Sequence, residues 1–126
     1  MDAAGAVVQF LGTVRNHSSD AAVASLEYEA YPEMAEKTIA RIIEETRRRW
    51  PFEFAAAVHR TGRLDVGDIA VCVTVASAHR VEAFAACRHI MDRLKATAPI
   101  WKRETFTSGT GRWVEQEEPP HAGGEG

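Results

Sequence analysis

The sequence is poor in cysteine, in long apolar runs and in excess positive charge, and each shortage removes a class of function. Only two cysteines occur, Cys72 and Cys87. Neither has a C-x-x-C neighbour, and the five histidines show no metal-ligand spacing with them, so no zinc site or other metal centre is expected. Both cysteines lie in apolar surroundings and read as small buried hydrophobes. No apolar run approaches the roughly 18–20 residues of a membrane span, and the N-terminus lacks a basic region followed by an apolar one. The expectation is a soluble cytoplasmic protein with no membrane partner, no metal and no cofactor.

Positive charge is the third shortage. Fifteen Lys+Arg stand against eighteen Asp+Glu, for a net charge of −3. Duplex-binding proteins usually carry a basic excess, because neutralising phosphates supplies their affinity. No nucleic-acid partner is therefore expected, and an anion site has to be a local concentration of charge. What the chain does have is the ordinary globular mix, with 45% hydrophobic and 26% charged residues among 126. That length fits one domain able to bury its own core without staples. The expected division is a folded domain over residues 1–116 and a disordered tail over 117–126, where Glu, Pro and Gly dominate.

Hydrophobic period supplies the elements. Gly5 to Arg15 reads as a strand, with Gly12 as a bulge or close-approach point. Leu26, Tyr28 and Ala30 alternate with Glu27 and Glu29, the period of a second strand; the first two strands are expected to pair. Pro32 suits the first turn of a helix. Met34, Ile39, Ile42, Ile43 and Trp50 recur at helical spacing up to Pro51. Phe54 to Leu64 reads as a third strand and Ile69 to Ala76 as a central strand covered on both faces. A second helix runs to about Thr97 with Phe84, Cys87, Met91 and Leu94 as its core stripe. Ile100 to Phe106, a turn, and Trp113-Val114 finish the fold. The economical architecture is an α+β sandwich, with two helices covering one face of a mostly antiparallel sheet.

Three places concentrate basic side chains where a scaffold does not need them. Arg15 sits at a strand end. His79 and Arg80 sit at a helix start, where unpaired backbone N–H groups already favour an anion. Lys95 and Lys102 flank Pro99, which turns the chain between them. Each has a bland alternative as a surface cation or a dipole-complementing helix end. Spacing adds a constraint: fifteen helical steps from Arg80 to Lys95 span roughly 22 Å. One compact pocket cannot hold both from a single chain, so there are two sites, or a symmetric dimer joins them across its interface.

The ordered motifs resemble a known family. They are Gly5-Ala6-Val7-Val8-Gln9-Phe10-Leu11-Gly12-Thr13-Val14-Arg15-Asn16, Leu26-Glu27-Tyr28-Glu29-Ala30-Tyr31-Pro32, His59-Arg60-Thr61-Gly62-Arg63-Leu64, Ser77-Ala78-His79-Arg80, Asp92-Arg93-Leu94-Lys95 and Pro99-Ile100-Trp101-Lys102-Arg103-Glu104, followed by Arg112-Trp113-Val114. In that order, over about residues 5–115, they resemble the catalytic (large) subunit of molybdopterin synthase.

The resemblance implies an α/β-hammerhead-type fold and a homodimer within a heterotetramer. Its partner would be a small ubiquitin-like sulfur-carrier subunit ending in a Gly-Gly thiocarboxylate. The substrate would be cyclic pyranopterin monophosphate (precursor Z), which receives two sulfurs to become molybdopterin. By the same resemblance Lys95 and Lys102 are catalytic, Arg15, His79 and Arg80 bind the anion, and Phe10 and Met91 line the pocket. His79 and Arg80 are expected from the second protomer. The family carries a further segment ahead of the Gly5 strand, so an edge or interface element is expected to be missing or replaced here. Gly123-Gly124 lies inside the tail and is not a carrier terminus. The alternative is a non-catalytic dimeric module that binds a phosphorylated ligand or a ubiquitin-like tail.

Overall fold

The computed structural model describes residues 2–18, 21–97, 100–109 and 111–114. In chain order its elements are β1 (Ala6–Thr13), β2 (His17–Ser18), β3 (Ala21–Ala30), α1 (Pro32–Arg49), β4 (Phe54–His59), β5 (Gly62–Asp65), β6 (Ile69–Ser77), α2 (Arg80–Thr97), β7 (Ile100–Phe106) and β8 (Gly111–Val114). This is an α+β fold of two main helices, and every described strand pair is antiparallel. The 117–126 tail lies outside the described residues.

The strands divide into two sheets, where the sequence pointed to one. The first has the order β1-β6-β4. Its centre is β6, as the apolar run over 69–76 implied. Period-2 alternation turns Val71, Val73 and Val75 into the core and leaves Cys72 and Thr74 half-buried on the outer face. That outer face is only partly covered, so β6 is central without being enclosed on both sides. In the second sheet β3 pairs with β2 and β5 along one edge and with β7 along the other, and β7 carries β8.

Two expectations about the strands are corrected. β1 does not pair with the next long strand; it pairs with β6, while β3 lies in the other sheet. The segment from Phe54 to Leu64 is not one strand but two, β4 in the first sheet and β5 in the second. Both corrections arise where the chain changes sheets. After β1, the Val14 N–H donates to the Asp68 carbonyl at 2.9 Å and Val14 accepts from the Gly67 N–H at 2.9 Å. After β4, Arg60 and Thr61 lead into Gly62, whose φ of 86° only glycine adopts freely. Alternation reports which residues share a face, and it carries no signal about which partner lies alongside.

Gly12 is both the bulge and the close-approach point that its position implied. The β1–β6 register shifts between Gly12 and Thr13. A methyl group there would stand 2.5 Å from Val71 Cγ1 and 3.3 Å from Phe10 Cε2.

The helices follow their end signals. Pro32 takes the first turn of α1, Glu33 and the Arg47, Arg48, Arg49 run complement its dipole, and the Trp50 N–H closes it on the Thr46 carbonyl. Met34, expected in its core stripe, is 58% exposed. The buried stripe of α2 is Ala83, Ala86, Cys87, Ile90 and Leu94, and Phe84 is 61% exposed. Pattern reading favoured the bulky side chains, whereas small alanines let the helix lie close on β6 and β1. Ile90 and Val73 are fully buried between helix and sheet, worth about 1.5–3 kcal/mol each.

Two cores result. The main one joins Ile42, Val73, Ile90, Leu94 and Ile100; the second joins Val14, Val23, Leu26, Leu64 and Ala70. Tyr28 packs against both.

Candidate active site

The direction of α2 decides what meets what. Mid-helix Cys87 lies under mid-strand Val73, its Sγ 3.7 Å from the Val73 carbonyl oxygen, and it also interacts with the Phe10 backbone. The helix therefore runs back along β6 and β1, and its C-terminal end lies where β1 finishes. Burial pushes the Cys87 thiol up, with the Phe10 backbone opposing. Cys72 is half-buried on the outer face, more accessible than its sequence context implied.

At this end stand the two lysines. Lys95 occupies the last turn of α2, exposed, with the half-buried Met91 one turn earlier on the same flank and packed on the main core. Leu94 and Ile100 share the main core, so the end of α2 and the start of β7 are neighbours. The intervening Ala98-Pro99 turn lies outside the described residues. Lys102 is half-buried and pairs in register with Tyr28 on β3 and Val114 on β8. Two residues to either side on its own face lie Ile100, in the main core, and Glu104, which is 2% exposed. Lys102 thus emerges at the seam between the cores. Arg15 is exposed just past β1, at the same end of the sheet. Phe10 is 41% exposed on the helix-facing side of β1, its ring lying over Gly12.

His79 and Arg80 are at the other end. His79 opens α2, its carbonyl accepting the Ala83 N–H at 3.2 Å. Both side chains are exposed and line a cleft of about 530 Å³ with Gly5, Ala6 and Glu82. The cleft needs glycine at residue 5, since a methyl group there would collide with the Ala78 carbonyl oxygen. Helix-start N–H groups together with two basic side chains suit an anion. Glu82 Oε2 is buried there with no hydrogen-bond partner among the described residues. Within one chain Arg15, Met91 and Lys95 belong to the ends of β1 and α2 that lie together, Lys102 follows on β7 two residues past the shared core residue Ile100, and Phe10 lies farther back along β1; His79 and Arg80 are a helix length away.

Three residues around Lys102 carried no role in the sequence reading. Glu104 is a carboxylate buried on the Lys102 face, and such a group requires charged or hydrogen-bonding neighbours. Tyr28 is the cross-strand neighbour. His59, at the end of β4, meets Tyr28 edge-on, with ring centroids 4.7 Å apart and planes at 70°. His59 Nδ1 lies 2.7 Å from the Arg60 carbonyl oxygen, which makes Nδ1 the protonated nitrogen. Burial holds the His59 pKa below its ordinary value, partly offset by that hydrogen bond. A single sequence carries no signal for these roles, because they depend on strand partners.

Among the described residues no three His, Cys, Asp or Glu side chains converge on a metal-sized site, and no helix is long and apolar enough to cross a membrane.

Residues 1–97 match the family model described as MoaE protein. The chain is 50% identical over 117 residues to the molybdopterin synthase catalytic subunit of Escherichia coli (strain K12), covering 93% of this chain and 77% of that one. The chain belongs to this family. It is also 47% identical over 110 residues to the molybdopterin synthase catalytic subunit of Thermoplasma volcanium, covering 87% and 80% of the two chains. A crystal structure of molybdopterin synthase from Staphylococcus aureus superposes with a TM-score of 0.86 at 40% identity, over 90% of this chain and 82% of that one. A Helicobacter pylori complex of subunits 1 and 2 of molybdopterin-converting factor shares the fold at 18% identity, with a TM-score of 0.75. Members of the family are enzyme subunits of molybdenum cofactor biosynthesis, and this chain is one of them.

Proposed function

We propose that this chain is the sulfurtransferase subunit that converts cyclic pyranopterin monophosphate to molybdopterin. Two sulfurs arrive in turn on the thiocarboxylated C-terminus of a small ubiquitin-like carrier. The observation that supports this reading is that α2, which ends with Lys95 in its last turn, and β7, which carries Lys102, share the main core through Leu94 and Ile100 in a chain of this family. Attack by a thiocarboxylate forms oxyanions, and fixed cations at the reaction centre stabilise them. The substrate phosphate needs positive charge as well, which Arg15, His79 and Arg80 supply. Phe10 and Met91 furnish apolar walls.

A partner-borne sulfur is supported by where the two thiols lie: Cys87 is buried with its pKa raised, and Cys72 is on the outer face of its sheet, turned away from α2. The helix-length separation of Arg80 from Lys95 supports a site completed by His79 and Arg80 of a second protomer in a homodimer, with one carrier at each end of a heterotetramer. The folded domain spans residues 1–116, the tail over 117–126 stays outside the chemistry, and the protein acts in the cytoplasm.

The test mixes the protein with thiocarboxylated carrier and cyclic pyranopterin monophosphate and measures molybdopterin. Product is expected, and Lys102→Ala should reduce it severely. Absence of product from folded protein and a competent carrier would leave a non-catalytic binding module as the better reading.

A further inference from the structure

We propose that Tyr28 is a positioning residue for Lys102 and that its ring is held in place by His59. The two residues are direct Cα partners on the β3–β7 ladder. Their Cβ atoms are therefore on the same face and about 4.5–5.5 Å apart. The aliphatic stem of a lysine is amphipathic and lies along such a surface, with its ammonium group beyond it. Tyr28 is itself anchored, since it packs against both cores. The edge of the His59 ring meets it at 4.7 Å.

This contact joins the two sheets. His59 ends β4 in the three-stranded sheet, whereas Tyr28 and Lys102 belong to the other. The direction in which Lys102 leaves its strand is thus set by the junction of both sheets as well as by β7. His59 contributes shape and not charge: its Nδ1–H is committed to the Arg60 carbonyl, and burial favours the neutral ring. A neutral aromatic wall leaves the positive charge of the pocket to the lysines and arginine. Glycine at position 62, the β5 partner of Tyr28, leaves the opposite side of the ring without a side chain.

The test is made on the full chain, first without any ligand. The sequence has three lysines, Lys37, Lys95 and Lys102, so lysine carrying ¹³C at the ε-carbon gives one signal per lysine, each assigned by its Lys→Arg substitution. The Lys102 ε-methylene is expected to be ring-current shifted away from the exposed Lys37. That shift should persist in Tyr28→Phe, shrink in His59→Leu and vanish in Tyr28→Leu. A Lys102 signal coincident with Lys37 in the unsubstituted protein, or one unmoved by Tyr28→Leu, overturns the proposal. Should Tyr28→Leu fail to fold, an unchanged signal in His59→Leu overturns the clamp.

The kinetic arm rests on the proposed function. There Tyr28→Leu should lower kcat about tenfold with little change in KM, and Tyr28→Phe should restore it to within about twofold. Full turnover in Tyr28→Leu beside an inactive Lys102→Ala defeats the positioning role and leaves the sulfurtransferase reading standing. No turnover from the unsubstituted protein defeats that reading instead, while the resonance shifts still decide this one.

Discussion

Arg80 and Lys95 stand at opposite ends of one unbroken helix, α2. At 1.5 Å per residue they are roughly 22 Å apart, and no side-chain rearrangement closes that gap. A site that uses both draws them from two copies of the chain. Lys95→Ala is expected to abolish turnover with fold and dimer intact, and Arg80→Ala mainly to raise KM. In dimers mixed from the two variants, one of the two sites regains both residues, so activity should return in part. Size-exclusion chromatography and turnover of the mixture check this. Mixed dimers that gain no low-KM turnover over either parent variant would overturn a site shared between protomers.

Gly5→Ala tests the cleft at the start of α2. Its added methyl meets the Ala78 backbone carbonyl, which cannot turn aside as a side chain would. Either β1 or the His79 turn must shift, at a cost of about 1–3 kcal/mol. A lower Tm and a raised KM are expected together. Unchanged values of both would show that the glycine is incidental.

Stability should fall in mild acid. Burial holds His59 below the ordinary value of 6.5. Burial does the same for His89, with Arg49 and Arg93 adding to the effect and Glu45 and Asp92 opposing it. His89 meets Trp50 at a tilt, with ring centroids 5.2 Å apart and planes at 58°, and its Nε2 is buried with no hydrogen-bond partner among the described residues. With a folded pKa below the unfolded one, the unfolded chain binds the proton first. The contribution of each ring is then complete above about pH 6.5 and is lost as pH falls toward the folded value. Tm measured from pH 7 to pH 5 should decline, and the decline should be shallower in His59→Phe with His89→Phe. Equal slopes would remove the histidines as its source.

The cysteines should be dispensable for sulfur transfer. Cys72→Ser and Cys87→Ala together are expected to retain turnover, and a thiol reagent should label Cys72 before Cys87 in the native protein. A large loss of turnover without a loss of Tm would mean that sulfur passes through this chain.

The boundaries of α1, α2, β6 and β7 were legible because each is marked locally, by Pro32 and Pro51, by continuous 3.6-residue spacing, or by a β-branched run. The pairing of β1 and the division of β4 from β5 were not, because they depend on which strand lies alongside. The same limit applied to the site. Lys95, His79 and Arg80 stood out as basic residues at element ends and Lys102 as one just past the Pro99 turn, and motif order tied them to a family. Tyr28, His59 and Glu104 did not stand out, because an aromatic, a histidine and a glutamate within strands look ordinary along the chain.

By itself, then, the sequence determined the element types, the family and the impossibility of one chain placing Arg80 beside Lys95, since helix rise follows from backbone geometry alone. Only the tertiary structure decided that the strands form two sheets and that Lys102 stands across from Tyr28 at their seam. Those relationships are long-range: β3 and β7 pair across more than seventy residues of chain, and register between distant strands is set by how both cores fill.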